Sequence, residues 1–269
     1  MPEPMGFYTD TTVCIGCKAC EVACKEWNQL PAAEGGQRTL SGDSYDNTQR
    51  LDGIHWRHVK FVEQFDTSRD NGRWLMLSDV CKHCVRAGCL EVCPTGAIIR
   101  TEFDTVVIQS DTCNGCRLCI AACPFGVIDI NPVSHTAEKC TLCYDRLQAG
   151  MVPACAQACP TQSIQFGAIK DLRVRAAARV EQLHRLGESR ARLYGADEEM
   201  LGGLNSFYLL VDEPEVYGLP RAPKLPSRNL FSSSLFSVLG AAIVALAGFV
   251  GLRQRRMEER AREEGGGGV

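Results

Sequence analysis

The chain has 269 residues, 45% hydrophobic and 23% charged, with a formal net charge of −3. That length limits it to one large or two small domains, and that charge offers no basic tract for nucleic acid. The outlying number is sixteen cysteines.

Met1 to Pro4 reads as a dispensable lead, with Met5 an alternative start. MPEPMGFYTD has neither a basic n-region nor an apolar h-region, so no secretory signal of its own is expected. The first cysteine run follows as C-x2-C-x2-C-x3-C: Cys14, Cys17, Cys20 and Cys24. Trp27 to His55 is polar and Gly/Ser/Asp/Asn-rich, which predicts a long loop lying against a partner. Arg57 to Phe65 and Arg73 to Leu77 read as strands around the turn signal Asp70-Asn71-Gly72, hence a β-hairpin.

The second run is C-x2-C-x4-C-x3-C-P: Cys81, Cys84, Cys89 and Cys93. The third is C-x2-C-x2-C-x3-C-P: Cys113, Cys116, Cys119 and Cys123. After each Cys-Pro a β-prone stretch leaves, Thr95–Ile99 and Phe125–Ile128, with Thr105–Gln109 as a return strand. The fourth run is C-x2-C-x11-C-x3-C-P: Cys140, Cys143, Cys155 and Cys159, with Tyr144 to Ala154 expected as a loop insertion. Four copies of one pattern make an internal repeat.

Lys170 to Leu186 places Leu172, Ala176, Val180 and Leu183 on one helical face, with Gly187 as its C-terminal cap. Ser206 to Val211 reads as a strand, and Pro214 to Pro226 as a proline-spaced linker. Asn229 to Leu252 carries no charge and would span roughly 35 Å as a helix, enough for a bilayer core of about 30 Å. It is read as a transmembrane helix, the alternative being a buried core helix. Ser233, Ser237, Ala241 and Ala245 form a small-residue stripe on which another helix could pack closely. Arg253 to Val269 reads as a disordered charged and glycine-rich tail. Arg253, Arg255, Arg256, Arg260 and Arg262 outnumber Arg221, Lys224 and Arg228 across the span, which favours a cytoplasmic C-terminus. The cysteine region would then lie on the outer face of a bacterial cell membrane, exported with a partner.

Three thiolates in one tight loop, the fourth arriving from another run, is how two-cluster ferredoxins hold [4Fe–4S] cubanes. Zinc competes, because C-x2-C is also a zinc knuckle, but zinc sites rarely crowd three ligands into one short loop. Disulfides fit neither the local spacing nor the missing signal. Lys82 and His83, between ligands, could tune a cluster but read as solvent-facing loop residues. His55, His58, His135 and His184 show no metal spacing. No phosphate loop, dinucleotide fingerprint or nucleophile constellation is present, so the chain is expected not to be catalytic alone.

Four such runs and one C-terminal membrane helix resemble the iron–sulfur (beta) subunit of membrane-bound respiratory formate dehydrogenases. The likeness is carried by MGFYTDTTVCIGCKACEVACKEWNQLP, by SDVCKHCVRAGCLEVCPTGAI and by the stretch from Leu193-Tyr194-Gly195 through Leu201-Gly202-Gly203-Leu204 into SFYLLV. The cysteine motifs alone are shared with beta subunits of other molybdopterin oxidoreductases and some membrane hydrogenases. The resemblance implies an α+β fold of two ferredoxin-like halves related by a pseudo-twofold, plus one transmembrane helix. Runs one and four would form one half, runs two and three the other. It implies four [4Fe–4S] clusters: at Cys14, Cys17, Cys20 and Cys159; at Cys24, Cys140, Cys143 and Cys155; at Cys81, Cys84, Cys89 and Cys123; and at Cys93, Cys113, Cys116 and Cys119. Lys25 in place of a proline and the x11 gap depart from a plain ferredoxin run.

The domains expected are a four-cluster region at 5–168, a helix, strand and linker packed on it at 169–228, the membrane helix at 229–252 and the tail at 253–269. The implied partners are a catalytic molybdopterin alpha subunit with molybdenum or tungsten, a cytochrome b-type membrane gamma subunit that reduces quinone, and membrane lipid. Electrons from formate would pass through this chain. A hydrogenase or sulfur-compound reductase beta subunit, or a zinc-stabilised membrane adaptor without redox function, remains as an alternative.

Overall fold

A computed structural model describes residues 3–32, 45–46, 49–66, 70, 72–226 and 230–265. Residues 1–225 form one compact unit and 226–269 a second.

The first unit begins with β1 (Met5–Asp10), a short 3-10 turn (Thr11–Val13) and α1 (Ala19–Trp27), which carries Cys20 and Cys24. Pro4 is held in the fold: its carbonyl accepts the Ile169 amide at 2.9 Å. Next come β2 (Arg57–Phe65) and β3 (Gly72–Val80), paired antiparallel with Arg57 opposite Val80 and Phe65 opposite Gly72. The expected hairpin is therefore present, and its turn residue Asn71 lies outside the described residues. So does much of the expected Trp27–His55 loop, whose first residue instead closes α1.

The second and third runs lie on short helices and hairpins: α2 (Gly88–Glu91), β4 (Ile98–Arg100), β5 (Val106–Ile108), α3 (Leu118–Ala122), β6 (Asp129–Ile130) and β7 (Ala137–Glu138). β4 pairs with β5 and β6 with β7, both antiparallel. The strand after the third run starts at Asp129, one residue beyond the expected Phe125–Ile128 stretch.

Three Cys-Pro corners share one turn. The amides of Gly96, Gly126 and Gln162 each donate to the carbonyl of the cysteine three residues earlier, at 3.3–3.4 Å. Proline sits second in each turn, where its fixed φ is favoured. The residue closing each turn has positive φ, 67° at Gly96, 61° at Gly126 and 54° at Gln162.

Between the second and third ligands of the fourth run, α4 (Tyr144–Gln148) takes up part of the expected loop, and α5 (Ala154–Gln157) starts at its last residue and carries Cys155. Arg146 folds this segment on itself. Its Nε donates to the Val152 carbonyl at 2.6 Å, and its guanidinium lies 4.1 Å from the Trp27 ring centroid.

β8 (Ile164–Ala168) leads into α6 (Ile169–Arg185), which buries Ile169, Leu172, Ala176 and Leu183. Gly187 at φ 95° ends it in a Schellman arrangement, with Glu188 N donating to Leu183 O at 3.0 Å and Gly187 N to His184 O at 3.1 Å. β9 (Arg192–Tyr194) and β10 (Ser206–Leu210) complete a four-stranded sheet ordered β8-β1-β10-β9. β1 and β10 are parallel, and the outer pairs are antiparallel. Every residue of β10 is buried, as a central strand covered on both faces requires.

Gly6 allows the β1–β10 approach, because a β-carbon there would overlap the Asn205 carbonyl. Gly6→Ala is expected to destabilise by about 1–3 kcal/mol. An unchanged thermal midpoint would contradict the close approach.

The expected linker at Pro214–Pro226 is not free. It forms a 3-10 turn, and Tyr217, Leu219 and Leu225 join the core of Tyr8, Leu172, Leu204 and Phe207. Apolar side chains lie between its prolines, and burying them outweighs the freedom that a linker keeps.

The second unit holds α7 (Leu230–Gly265). Phe236–Glu258 within it has mean hydropathy 1.9 and is long and apolar enough to cross a membrane. Its Phe236, Leu239, Ile243, Leu246 and Phe249 are exposed. The helix runs past Leu252 to Gly265, where a disordered tail was expected. Arg, Glu, Met and Ala dominate that extension and are good helix formers. Residues 266–269, Asn229 and the Ser233 side chain lie outside the described residues.

Candidate iron–sulfur sites

All four runs use one device. The residue before the second cysteine is left-handed in each: Gly16 at φ 66°, His83 at 43°, Gly115 at 69° and Leu142 at 60°. Such a residue reverses the chain locally, so that cysteines three apart face a common centre. Glycine adopts it freely in runs one and three, while His83 and Leu142 accept a less populated conformation. The same residue's amide points at the first sulfur in the other two runs, at 3.5 Å from His83 N to Cys81 Sγ and 3.3 Å from Leu142 N to Cys140 Sγ.

Cysteines distant in sequence meet around these loops. Cys14, Cys17, Cys20 and Cys159 line one small cavity, and Cys93, Cys113, Cys116 and Cys119 line another. Burial, then the neighbouring Cys140, Cys155 and Cys143, raise the Cys24 thiol well above its usual value. Burial, then Cys81, Cys123 and Cys89, do the same to Cys84. Two quartets thus each line one cavity, with three members from one run and one from another, and Cys24 and Cys84 each have three further cysteines of similarly mixed origin as neighbours.

The expected ligand sets also have neighbouring members. Cys20 of the first neighbours Cys155 of the second. Cys140 of the second neighbours Cys81 of the third, and Cys89 of the third neighbours Cys119 of the fourth. Cys17 and Cys116, in the two end quartets, are the exposed cysteines, and the two inner quartets have none.

The donor set suits a soft, sulfur-bound metal group. Burial pushes Cys20, Cys89 and Cys140 up to about 12, so as free thiols they stay protonated. A cationic iron core would draw the protons off and compensate the buried thiolates. Among the described residues no three His, Cys, Asp or Glu side chains are grouped to hold a single metal ion. A lone zinc needs sulfurs about 3.8 Å apart, given Zn–S bonds of about 2.3 Å.

Lys82 and His83 are not solvent-facing. They are 1% and 0% exposed. Lys82 Nζ pairs with Asp79, which also holds Lys60 at 2.9 Å. Its ammonium lies 5.4 Å and 5.1 Å from the Phe125 and Tyr208 ring centroids. Burial alone would raise the Asp79 carboxyl, but Lys82 and Lys60 outweigh it and hold the group well below the usual carboxylate range. Burial, with Lys139 and three further cations nearby, keeps His83 neutral. Its Nδ1 accepts the Val106 amide at 3.1 Å, which leaves the proton on Nε2, buried and without a hydrogen-bond partner among the described residues.

Two further buried cations stand outside the expected ligand loops. Arg57 is 2% exposed and donates to Cys155 Sγ at 3.2 Å. Lys139, also 2% exposed, donates to the carbonyls of Val106 and Cys140 and neighbours Cys89. Lys139 directly precedes a ligand, a position that could have flagged it, whereas Arg57 lies in a strand with no sequence signal. Buried cations beside cysteine sulfurs would offset the charge of an anionic sulfide cluster.

Known proteins share this chemistry. A family model described as "4Fe-4S dicluster domain" matches residues 13–97, and another of the same description matches residues 72–169. The chain is 40% identical over 243 residues to the formate dehydrogenase iron–sulfur subunit of Haemophilus influenzae, covering 88% of this chain and 76% of that protein. It belongs to the family of formate dehydrogenase iron–sulfur subunits. Identity to the formate dehydrogenase-O iron–sulfur subunit of Escherichia coli is 37% over 267 residues, 96% of this chain and 86% of the relative. Similarity extends to a polypeptide of the anaerobic dimethyl sulfoxide reductase of Escherichia coli, 34% over 179 residues, 64% of this chain and 78% of the relative. As in the family, the chain is an iron–sulfur electron-transfer subunit that binds 4Fe-4S clusters and is not catalytic alone.

Proposed function

We propose that this chain carries four [4Fe–4S] clusters and conducts electrons from a formate-oxidising molybdopterin subunit to a membrane cytochrome b-type subunit that reduces quinone. The ligand sets are Cys14, Cys17, Cys20 and Cys159; Cys24, Cys140, Cys143 and Cys155; Cys81, Cys84, Cys89 and Cys123; and Cys93, Cys113, Cys116 and Cys119. The observation that supports the reading is a pair of small cavities, each lined by four cysteines from two runs and each including one exposed cysteine, Cys17 in one and Cys116 in the other. Each bound cluster supplies reversible one-electron uptake. The protein's part is to hold the sites in series, to bury the inner two and to present the outer two to partners.

The pairing of runs one with four and two with three gives two ferredoxin-like halves related by a pseudo-twofold. Helix α7 anchors the chain in the bacterial membrane, with the cysteine unit on the outer face and the arginine-rich end in the cytoplasm. The similarity to the dimethyl sulfoxide reductase polypeptide favours one second reading, the same wire serving a sulfur-compound reductase.

The test is anaerobic purification with native partners in mild detergent, then addition of formate. Bleaching of the visible iron–sulfur absorbance by formate, and not by hydrogen, is expected. Bleaching by dithionite alone, with the catalytic subunit present, would remove formate as donor.

A further inference from the structure

The first two quartets are joined by side chains outside any cysteine motif. Arg57 Nη2 donates to Cys155 Sγ at 3.2 Å, and its Nη1 donates to Ser78 Oγ at 3.2 Å. Ser78 Oγ lies 3.2 Å from Cys20 Sγ. Ser78 stands opposite Val59 in the β2–β3 ladder, and Val59 is two residues from Arg57. Both side chains therefore leave the same face of the hairpin.

The Phe7 ring lies against the guanidinium at 4.7 Å to its centroid, and Arg57 Nε has no hydrogen-bond partner among the described residues.

We propose that Arg57 and Ser78 form a hydrogen-bonded bridge between the Cys14/Cys17/Cys20/Cys159 and Cys24/Cys140/Cys143/Cys155 sites and raise the reduction potential of both. The proposal rests on the ligand reading above. Reduction adds negative charge at a site. A fixed cation and a donor to a ligand sulfur both favour that form. Arginine suits the position because its planar fork donates in two directions and it stays charged when buried. Lysine supplies the charge without the fork. Of the described cysteine sulfurs, the Ser78 hydroxyl lies within hydrogen-bond distance of Cys20, whereas Arg57 reaches Cys155 directly, so the two residues have separable effects.

The test is a potentiometric titration followed by EPR on the full chain, purified anaerobically with its partners. In Arg57→Gln, two of the four potentials are expected to fall by tenfold or more in the reduction equilibrium, about 59 mV for a one-electron couple. In Ser78→Ala, one of those two falls and the other holds. Arg57→Lys is expected to recover part of the loss. Arg57→Gln with full iron content and unmoved potentials would overturn the proposal. So would Ser78→Ala that moves neither potential, or both alike. If Arg57→Gln does not assemble, Ser78→Ala, which deletes a single hydroxyl, decides alone. Wild-type protein lacking four [4Fe–4S] signals would sink the ligand reading instead, so iron and EPR on the wild type separate the two failures.

Discussion

Cys123→Ser is expected to cost the chain the cluster at Cys81, Cys84 and Cys89, and to leave the one at Cys113, Cys116 and Cys119 in place. By sequence Cys123 belongs to the third run, four residues after Cys119. In space it neighbours Cys81 and Cys84, and the Phe125 and Val127 amides face its sulfur. The fourth cysteine ends α3, and the turn at Pro124 carries the chain away from the third run's own loop. A serine hydroxyl is a far poorer iron ligand than a thiolate, so about a quarter of the iron should be lost. Iron analysis with EPR at graded potentials would read this. Loss of the Cys113 signal with the Cys81 signal intact would reverse the crossover.

Lys82→Met should destabilise the first unit by about 3 kcal/mol, the low end for breaking a buried ion pair, because Lys60 still holds Asp79. For a unit of this size that corresponds to about 6–12 °C in thermal midpoint. Methionine keeps most of the volume, so the loss is electrostatic more than steric. Asp79 would retain Lys60, the Val80 amide at 2.9 Å and the Tyr208 hydroxyl at 3.3 Å, and would lose its fully buried cation. Adding Asp79→Asn should recover most of the stability, because removing both charges also removes both desolvation penalties. If the double variant melted as low as Lys82→Met alone, packing and not charge would be the reason Lys82 is buried.

Local features were open to reading from the chain alone. Ligands within each run lie so close that backbone reach alone groups them, and the spacing could be seen without a fold. The β2–β3 hairpin, the apolar face of α6, its glycine stop and the buried β10 follow from periodicity and turn chemistry, which act over a few residues. The apolar stretch in α7 is visible for the same reason, although its helix continues because the arginines and glutamates after it also favour helix.

What failed was long-range. β1 carries no alternation because it is a central strand, paired with β8 on one side and β10 on the other. Tyr217 and Leu225 belong to a core that also includes Tyr8, far away near the start of the chain, so their segment reads as a linker until the core is assembled. Lys82 and His83 look like loop residues because nothing within their run shows that Asp79, Tyr208 and the Val106 amide will enclose them.

By itself, then, the sequence determined the ligand chemistry: sixteen thiols in four tight runs, each able to offer three sulfurs to one centre. Tertiary structure brought Cys159 to the first triad and Cys93 to the third, and buried Arg57, Lys82 and Lys139. Ligand spacing is a property of a few adjacent residues. Burial of a cation depends on partners such as Arg57 and Cys155, 98 residues apart, that only folding brings together.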